Sequence, residues 1–214
     1  MRKSIALQQQ LGPVFDITFD CEDGAAAGNE AAHAALVAAF IADRHTNHFN
    51  RIGARVHDID SPHFEADITT ICATAAQQLA YLVIPKVESL AQLKTAIAMV
   101  SRHAQAAGRT DLPVHVLIET HRALHDVWEI AALPEVECLS FGIMDFVSAH
   151  YGSIAADAMQ SPGQFTHPLV ARAKLNIAAA CHAHGKVPSH CVVTEFSDTH
   201  AMRAAAERAS QEFG

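Results

Sequence analysis

Short cysteine pairs, long apolar runs and basic stripes are all missing from this sequence. The five cysteines, at 21, 72, 138, 181 and 191, show no Cys-x-x-Cys spacing, and Cys72, Cys138 and Cys181 sit inside apolar runs. They read as reduced core thiols of a cytoplasmic protein, which argues against a disulfide framework. No stretch reaches the roughly 18 uninterrupted apolar residues of a membrane span. The N-terminal Met-Arg-Lys-Ser-Ile-Ala-Leu has no long apolar core and no cleavage site, so no signal peptide is expected there. Lys and Arg number 15 against 23 Asp and Glu, a net charge of −8, and no basic stripe appears. Neither nucleic acid nor membrane is an expected partner. A small anionic substrate would need a local arginine or a metal ion to overcome the acidic background. The 15 histidines contain no His-Glu-x-x-His and read mostly as surface or satisfied core residues. There is no linker and no low-complexity tract.

What is present is enough apolar material for one sizeable core: 214 residues, 50% of them hydrophobic. Short apolar runs alternate with Ala-rich helical segments. Strands are predicted at Val14–Phe19, Gly53–His57, Ala80–Pro85, Pro113–Ile118, Glu137–Phe141 and Lys186–Val193. Helices are predicted at Asn29–Ala42, Ser61–Gln78, Ser89–Ala107, His121–Leu133, His167–His184 and Ser197–Phe213, with Arg2-Lys3-Ser4 in a further one at the start. Asn29, Ser61 and Ser197 suit helix N-termini, and Gly108 and Gly185 suit C-termini. The segment from Val147 to Gln164 reads as irregular, with at most one short helix. Such βα alternation argues for a parallel α/β architecture, barrel or open sheet. Six clear units, against the eight and about 250 residues of a closed barrel, lead us to expect a chain clipped at both ends.

Each predicted strand ends in polar residues. Asp20, Glu22 and Asp23 follow the first, Arg55, His57 and Asp58 the second, and Lys86 and Glu88 the third. Glu119 and Thr120 follow the fourth, Asp145 the fifth, and Thr194 and Glu195 the sixth. That recurrence is the pattern of a site assembled from many βα loops. Glu119 and Asp145 stand out, each closing a run of Val, Ile, Leu and Phe. A charge there must be solvated, paired or bound to a cation, so the two together make a seat for a hard divalent cation. Cys21 and Cys191 lie near strand ends without a base arranged beside them and read as inert.

Five segments also occur in a recognisable order: Phe-Asp-Ile-Thr-Phe-Asp-Cys-Glu-Asp-Gly, Ala-Arg-Val-His-Asp-Ile-Asp-Ser-Pro-His-Phe-Glu-Ala-Asp-Ile, Ile-Pro-Lys-Val-Glu-Ser, Leu-Ile-Glu-Thr and Phe-Gly-Ile-Met-Asp-Phe. Together, over about Val14 to Phe213, they resemble the citrate lyase β-subunit-like branch of the HpcH/HpaI aldolase superfamily. The resemblance implies a TIM-type (β/α)8 barrel, here a single truncated domain over residues 1–214 lacking its first and last strands. It implies a carbon–carbon lyase acting on a small 2-oxo or 3-hydroxy dicarboxylate or its CoA thioester, through an enolate that Mg²⁺, or Mn²⁺ in its place, stabilises. Glu119 and Asp145 match the family's metal ligands, with Glu119 also near the substrate. Arg55 matches the arginine that grips the substrate carboxylate, and Glu22 and Asp23 match its acidic strand end. A homo-oligomer, trimer or hexamer, is implied as well.

Competing roles stay open on the sequence. Glu119 can be a buried ion-pair partner, Asp145 a helix cap, and Arg55 a strut paired with Asp23 or Glu88. Lys86 and Glu88 suit a supporting role. His190 suits either a satisfied core position or a place against substrate. At the level of function, the rivals are a pyruvate-dependent class II aldolase of the HpcH/HpaI type and a catalytically inactive barrel that binds or assembles.

Overall fold

The computed structural model describes residues 1–194 and 196–213, so Glu195 lies outside the described residues. Six strands, β1 (Ile17–Asp20), β2 (Ile52–Arg55), β3 (Leu82–Ile84), β4 (Val114–Ile118), β5 (Val136–Phe141) and β6 (Val187–Ser189), follow one another in one sheet in chain order. The pairings β1–β2, β2–β3 and β5–β6 are parallel, with Ile17 opposite Ile52 and Cys138 opposite Val187. Every connection therefore steps the same way, without the reversal that marks an open doubly wound sheet. This is the winding of a TIM-type (β/α)8 barrel, of which the described residues supply six strands. The helices are α1 (Arg2–Leu11), α2 (Glu30–Ala42), α3 (Phe64–Ala75), α4 (Leu90–Ala106), α5 (His121–His125), α6 (Val127–Ala131), α7 (Ile143–Ser148), α8 (Gly163–Thr166), α9 (Pro168–His184) and α10 (Thr199–Phe213).

The chain forms two compact units, and the first comprises Met1–Pro85 with Ala91–His115. Its strands carry apolar residues because both faces are covered: Ile52, Ala54, Leu82 and Ile84 are fully buried. Helix α2 buries Ala34, Val37, Ala38 and Ile41, and α4 buries Leu93, Ala96, Ile97, Val100 and Ala104 at helical spacing. Two predicted caps are corrected. Asn29 stands at the N-cap of α2 without a side-chain cap bond. Ser61 lies ahead of α3, which starts at Phe64, and its hydroxyl accepts the His63 N–H at 3.2 Å to shape the preceding turn.

The second unit comprises Lys86–Leu90 and the residues from Val116 onward. The predicted helix His121–Leu133 is two short helices, broken at Asp126. There the Asp126 carboxylate accepts the Leu90 N–H at 3.0 Å, at the start of α4. The segment expected to be irregular holds the end of α7, a 3₁₀ turn at Ala156–Met159 and α8. Strand β6 is only three residues long, against the eight predicted. Pro188 at its centre has no N–H to give a ladder. Helix α9 ends at Gly185, whose left-handed backbone (φ 65°) suits glycine. Helix α10 is capped by Asp198 rather than Ser197: the Asp198 carboxylate accepts from the N–H groups of His200 and Ala201 at 2.9 and 3.0 Å. All five cysteines are buried free thiols.

Candidate active site

In the first unit the ends of β1 and β2 are tied by Arg55. Its Nε donates to Oδ1 of Asp20 at 2.7 Å and its Nη2 to Oδ2 at 2.5 Å, the bidentate fork that guanidinium geometry favours. Nη1 lies 3.1 Å from the carboxylate of Glu22, which is almost fully buried. Parallel register places Asp20 opposite Arg55, so neighbouring strands deliver both ends of the pair. Asp20 also accepts the N–H groups of Glu22 and Gly24. Burial alone would raise the Asp20 carboxyl, but the Arg55 hydrogen bond, these N–H donors and the Arg55 charge outweigh it and hold it below 3.8. Arg55 is thus oriented by Glu22, at the acidic strand end the sequence pointed to, and by Asp20, a partner the sequence reading did not name for it. Asp23, on the same strand end, is exposed.

One residue past Val56, His57 is fixed by an acid from α3. Oδ2 of Asp67, which is buried, accepts both the His57 backbone N–H at 3.0 Å and its Nδ1–H at 2.6 Å. Sequence reasoning missed Asp67. Its signal was an acid on the apolar face of a helix, between Phe64, Ile68 and Ile71. Beside these groups the Cys21 thiol is pushed up to about 12 by burial and then by Asp67 and Asp20, so it is an inert thiol, as expected.

The second unit carries the two carboxylates singled out first. Glu119 follows β4 directly and is 2% exposed. Its Oε1 accepts the Lys86 backbone N–H at 2.6 Å. Lys86 holds that donor in place with a left-handed backbone (φ 48°), an uncommon conformation for a side chain of its kind. The Glu119 side chain lies directly against Gly142: a Cβ there would stand 2.3 Å from Oε2. Gly142 is brought up to the end of β4 by its own N–H, which donates to Ile118 O at 3.1 Å.

Asp145 lies three residues beyond Gly142 and follows the fifth strand, as expected. Strand β5 ends at Phe141, as predicted, and Asp145 stands in the first turn of α7, a helix the sequence reading did not place. Among the described residues, no hydrogen bond or ion pair reaches its carboxylate, so it does not act as a side-chain cap. Glu119 and Asp145 are thereby placed on adjoining segments, the first beside Gly142 and the second one turn past it.

This donor set fits a hard divalent cation such as Mg²⁺, which takes one or two carboxylates and completes its shell with water and substrate oxygens. Glu119 has one oxygen anchored by the Lys86 N–H and the other packed against Gly142, and Asp145 is unpaired among the described residues. No group of three or more His, Cys, Asp or Glu side chains suited to a metal occurs among the described residues. Two histidines border this region. His121 packs edge-on to Phe146 and His150, at 4.9 and 3.8 Å between ring centroids. Its imidazole is held below 6.5 by burial first and the neighbouring His150 second.

His190 packs against an aromatic ring and a lysine and also lines a cavity. It stacks on Phe165 at 5.3 Å and its Nε2 meets Lys174 Nζ at 3.0 Å, within the helix packing of the second unit. Lys174 was missed too, although a lysine among Val170, Ala173, Ile177 and Ala178 of α9 breaks the apolar face visibly.

Comparison with known proteins places the chain in a family. The model of the HpcH/HpaI aldolase/citrate lyase family matches residues 13–212. An L-malyl-CoA/beta-methylmalyl-CoA lyase from Cereibacter sphaeroides is 29% identical over 169 residues, covering 74% of this chain and 53% of that protein. The crystal structure of a citrate lyase from Burkholderia xenovorans LB400 is 52% identical with a TM-score of 0.95, over 99% of this chain and 66% of that one. The citrate lyase beta subunit from M. tuberculosis, complexed with oxaloacetate and magnesium, is 22% identical with a TM-score of 0.70, over 92% of this chain and 78% of that one, and shares the fold. The chain spans about half the length of the curated relatives it matches. No helix among the described residues is long and apolar enough to cross a membrane.

Proposed function

Because the chain belongs to the HpcH/HpaI aldolase/citrate lyase family, we propose that it is a carbon–carbon lyase for a small 2-oxo or 3-hydroxy dicarboxylate or its CoA thioester. The observation that carries this reading is the setting of Glu119, a buried carboxylate with Oε1 anchored by Lys86 N–H and Oε2 facing Gly142, one turn before the unpaired Asp145. Glu119 and Asp145 would hold the Mg²⁺, with Mn²⁺ as a substitute. When bound, the ion supplies positive charge beside the substrate oxygen at the reacting centre.

The remaining work falls to this chain's own side chains. Cleaving a 3-hydroxy acid requires removal of the hydroxyl proton, breakage of the adjacent carbon–carbon bond, and return of a proton to the released carbon. Arg55, held by Asp20 and Glu22, orients the substrate carboxylate through its planar guanidinium. Asp23, exposed at the same strand end, is assigned the proton. A dicarboxylate is supported by the oxaloacetate in the M. tuberculosis relative, and a thioester by the malyl-CoA lyase. The same proposal includes a cytoplasmic location and assembly as a trimer or hexamer.

The test is a calorimetric titration of Mg²⁺ into metal-free protein with oxaloacetate or pyruvate present, in the wild type, Glu119→Ala and Asp145→Ala. Binding in the wild type and its loss in both variants is expected. Cleavage of a malyl thioester or of a free dicarboxylate then separates the lyase from a pyruvate aldolase, which would instead join pyruvate to an aldehyde. No Mg²⁺ binding by the wild type would overturn the reading in favour of a binding or assembly protein.

A further inference from the structure

The second unit contains a cavity of about 330 Å³ lined from β6, α9 and α10, and neither Glu119 nor Asp145 borders it. Most of its wall is apolar, with Phe141, Ile177, Ala178, Val193, Ala209 and Phe213 contributing. One cation breaks that wall. Lys174 is 3% exposed, yet no carboxylate lies within ion-pair distance of it among the described residues. Its Nζ instead meets His190 Nε2 at 3.0 Å and stands over the rings of Phe165 and Phe213, at 4.1 and 4.3 Å from their centroids.

The groups around the amine do not neutralise it. Just past β6, His190 can only accept from an ammonium at Nε2, which places its proton on Nδ1, where it donates to Cys191 O at 3.1 Å. Lys174 feels the Cys191 thiol first and then, from α10, the carboxylate of Glu212, which Arg208 holds at 2.5 Å. Arg208 itself lies over the Phe165 ring, at 4.6 Å from its centroid, and adds positive charge. From α8, Gln164 is fully buried. Its Oε1 accepts from the Cys191 thiol at 3.4 Å, while its Nε2 has no partner among the described residues. A desolvated cation on an apolar cavity calls for an anion that brings its own apolar body.

We propose that this cavity binds a small monocarboxylate with an unbranched apolar tail, its carboxylate on Lys174 Nζ and its tail against Ile177, Ala178 and Phe213. A cavity of this size falls at the lower end of small-molecule sites. The protonation behaviour agrees with the geometry. Burial lowers the Lys174 amine to about 8. Burial first, and the Lys174 charge second, lower the His190 imidazole to about 4. Below about pH 8 the ammonium is present beside a neutral imidazole; above it the free protein must take up a proton to bind an anion.

Hexanoate is the probe, titrated by calorimetry into metal-free protein carrying Asp145→Ala, so that binding at the proposed metal site does not contribute. One hexanoate per chain is expected. Affinity should fall at least tenfold in Lys174→Met and should weaken on going from pH 7 to pH 9. Hexanol should bind at least tenfold more weakly than hexanoate. Lys174→Met exchanges a desolvated amine for an apolar chain of similar length, and its folding is checked by its Tm. The hexanol comparison and the pH series need no variant at position 174. Undiminished affinity in folded Lys174→Met, equal binding of hexanol, a flat pH profile or no hexanoate binding would each overturn the site. Failure of the Mg²⁺ titration would leave it standing, since Lys174 touches neither proposed metal ligand.

Discussion

Glu119 and Gly142 are matched to each other: Oε2 of the acid lies 2.3 Å from where a Cβ on the glycine would stand. Glycine is required here by close approach, since its φ of −86° is open to any residue. In Gly142→Ala the methyl group must displace the carboxylate, and overpacking of this kind costs about 1–3 kcal/mol. A lower Tm and Mg²⁺ affinity reduced at least tenfold are expected. An unchanged titration would mean that the Glu119 carboxylate is not a ligand in its observed position.

The Arg55–Asp20 fork makes a second prediction, with a defined pH dependence. Asp20 ionises more readily in the folded chain than in the unfolded one. Its contribution is therefore fully present above the ordinary value near 3.8 and is lost as pH falls through the lower folded value. Asp20→Asn removes the charge from a half-buried pair and deprives Arg55 of its forked partner, a change expected to cost about 3 kcal/mol. Urea unfolding should show this loss at pH 7 and a narrowing gap between variant and wild type as pH approaches 3.

How far the sequence could be read depended on what each signal reports. Strand runs such as Val114–Ile118 are legible because burial on both faces forces them apolar, and β4 matches its prediction to within one residue. Glu119 is legible for the same reason, as an acid ending such a run. Asp145 was legible as the acid after the fifth strand, but the helix that carries it was not, because Ile143, Phe146 and Val147, which α7 buries, prolong the apolar run past β5. Pairing across elements was not legible. Arg55 with Asp20, His57 with Asp67 and Lys174 with His190 lie 35, 10 and 16 residues apart, and nothing local fixes those partners.

Lys174 also bears on stability. Its folded value near 8 lies below the ordinary 10.5, so the unfolded chain binds the proton more tightly. Stability should accordingly rise as pH increases from about 8 to 10.5, by an amount on the order of 3 kcal/mol. Lys174→Met should be more stable than wild type at pH 7 and should lose this alkaline rise. Urea midpoints at pH 7, 9 and 10 for both proteins test the sign. A variant less stable than wild type at pH 7 would show that the contacts of Lys174 with His190, Phe165 and Phe213 outweigh its desolvation.

Asp67 supports His57 through two bonds to one buried oxygen, and their coupling can be measured. Removing the acid leaves a backbone N–H and an imidazole N–H without their acceptor, at a cost of about 1–3 kcal/mol for each buried donor left unsatisfied. Asp67→Ala should therefore be strongly destabilising, whereas His57→Ala leaves the backbone N–H bond to Asp67 in place and should cost less. Because the side chains meet at 2.6 Å, the double variant should be less destabilised than the sum of the single ones. The coupling is expected at about 1–2 kcal/mol, within the range for residues in direct contact. Chemical denaturation of all four proteins at one pH gives it directly. Additive effects would show that the Asp67 side chain serves the backbone of β2 alone and does not orient the imidazole.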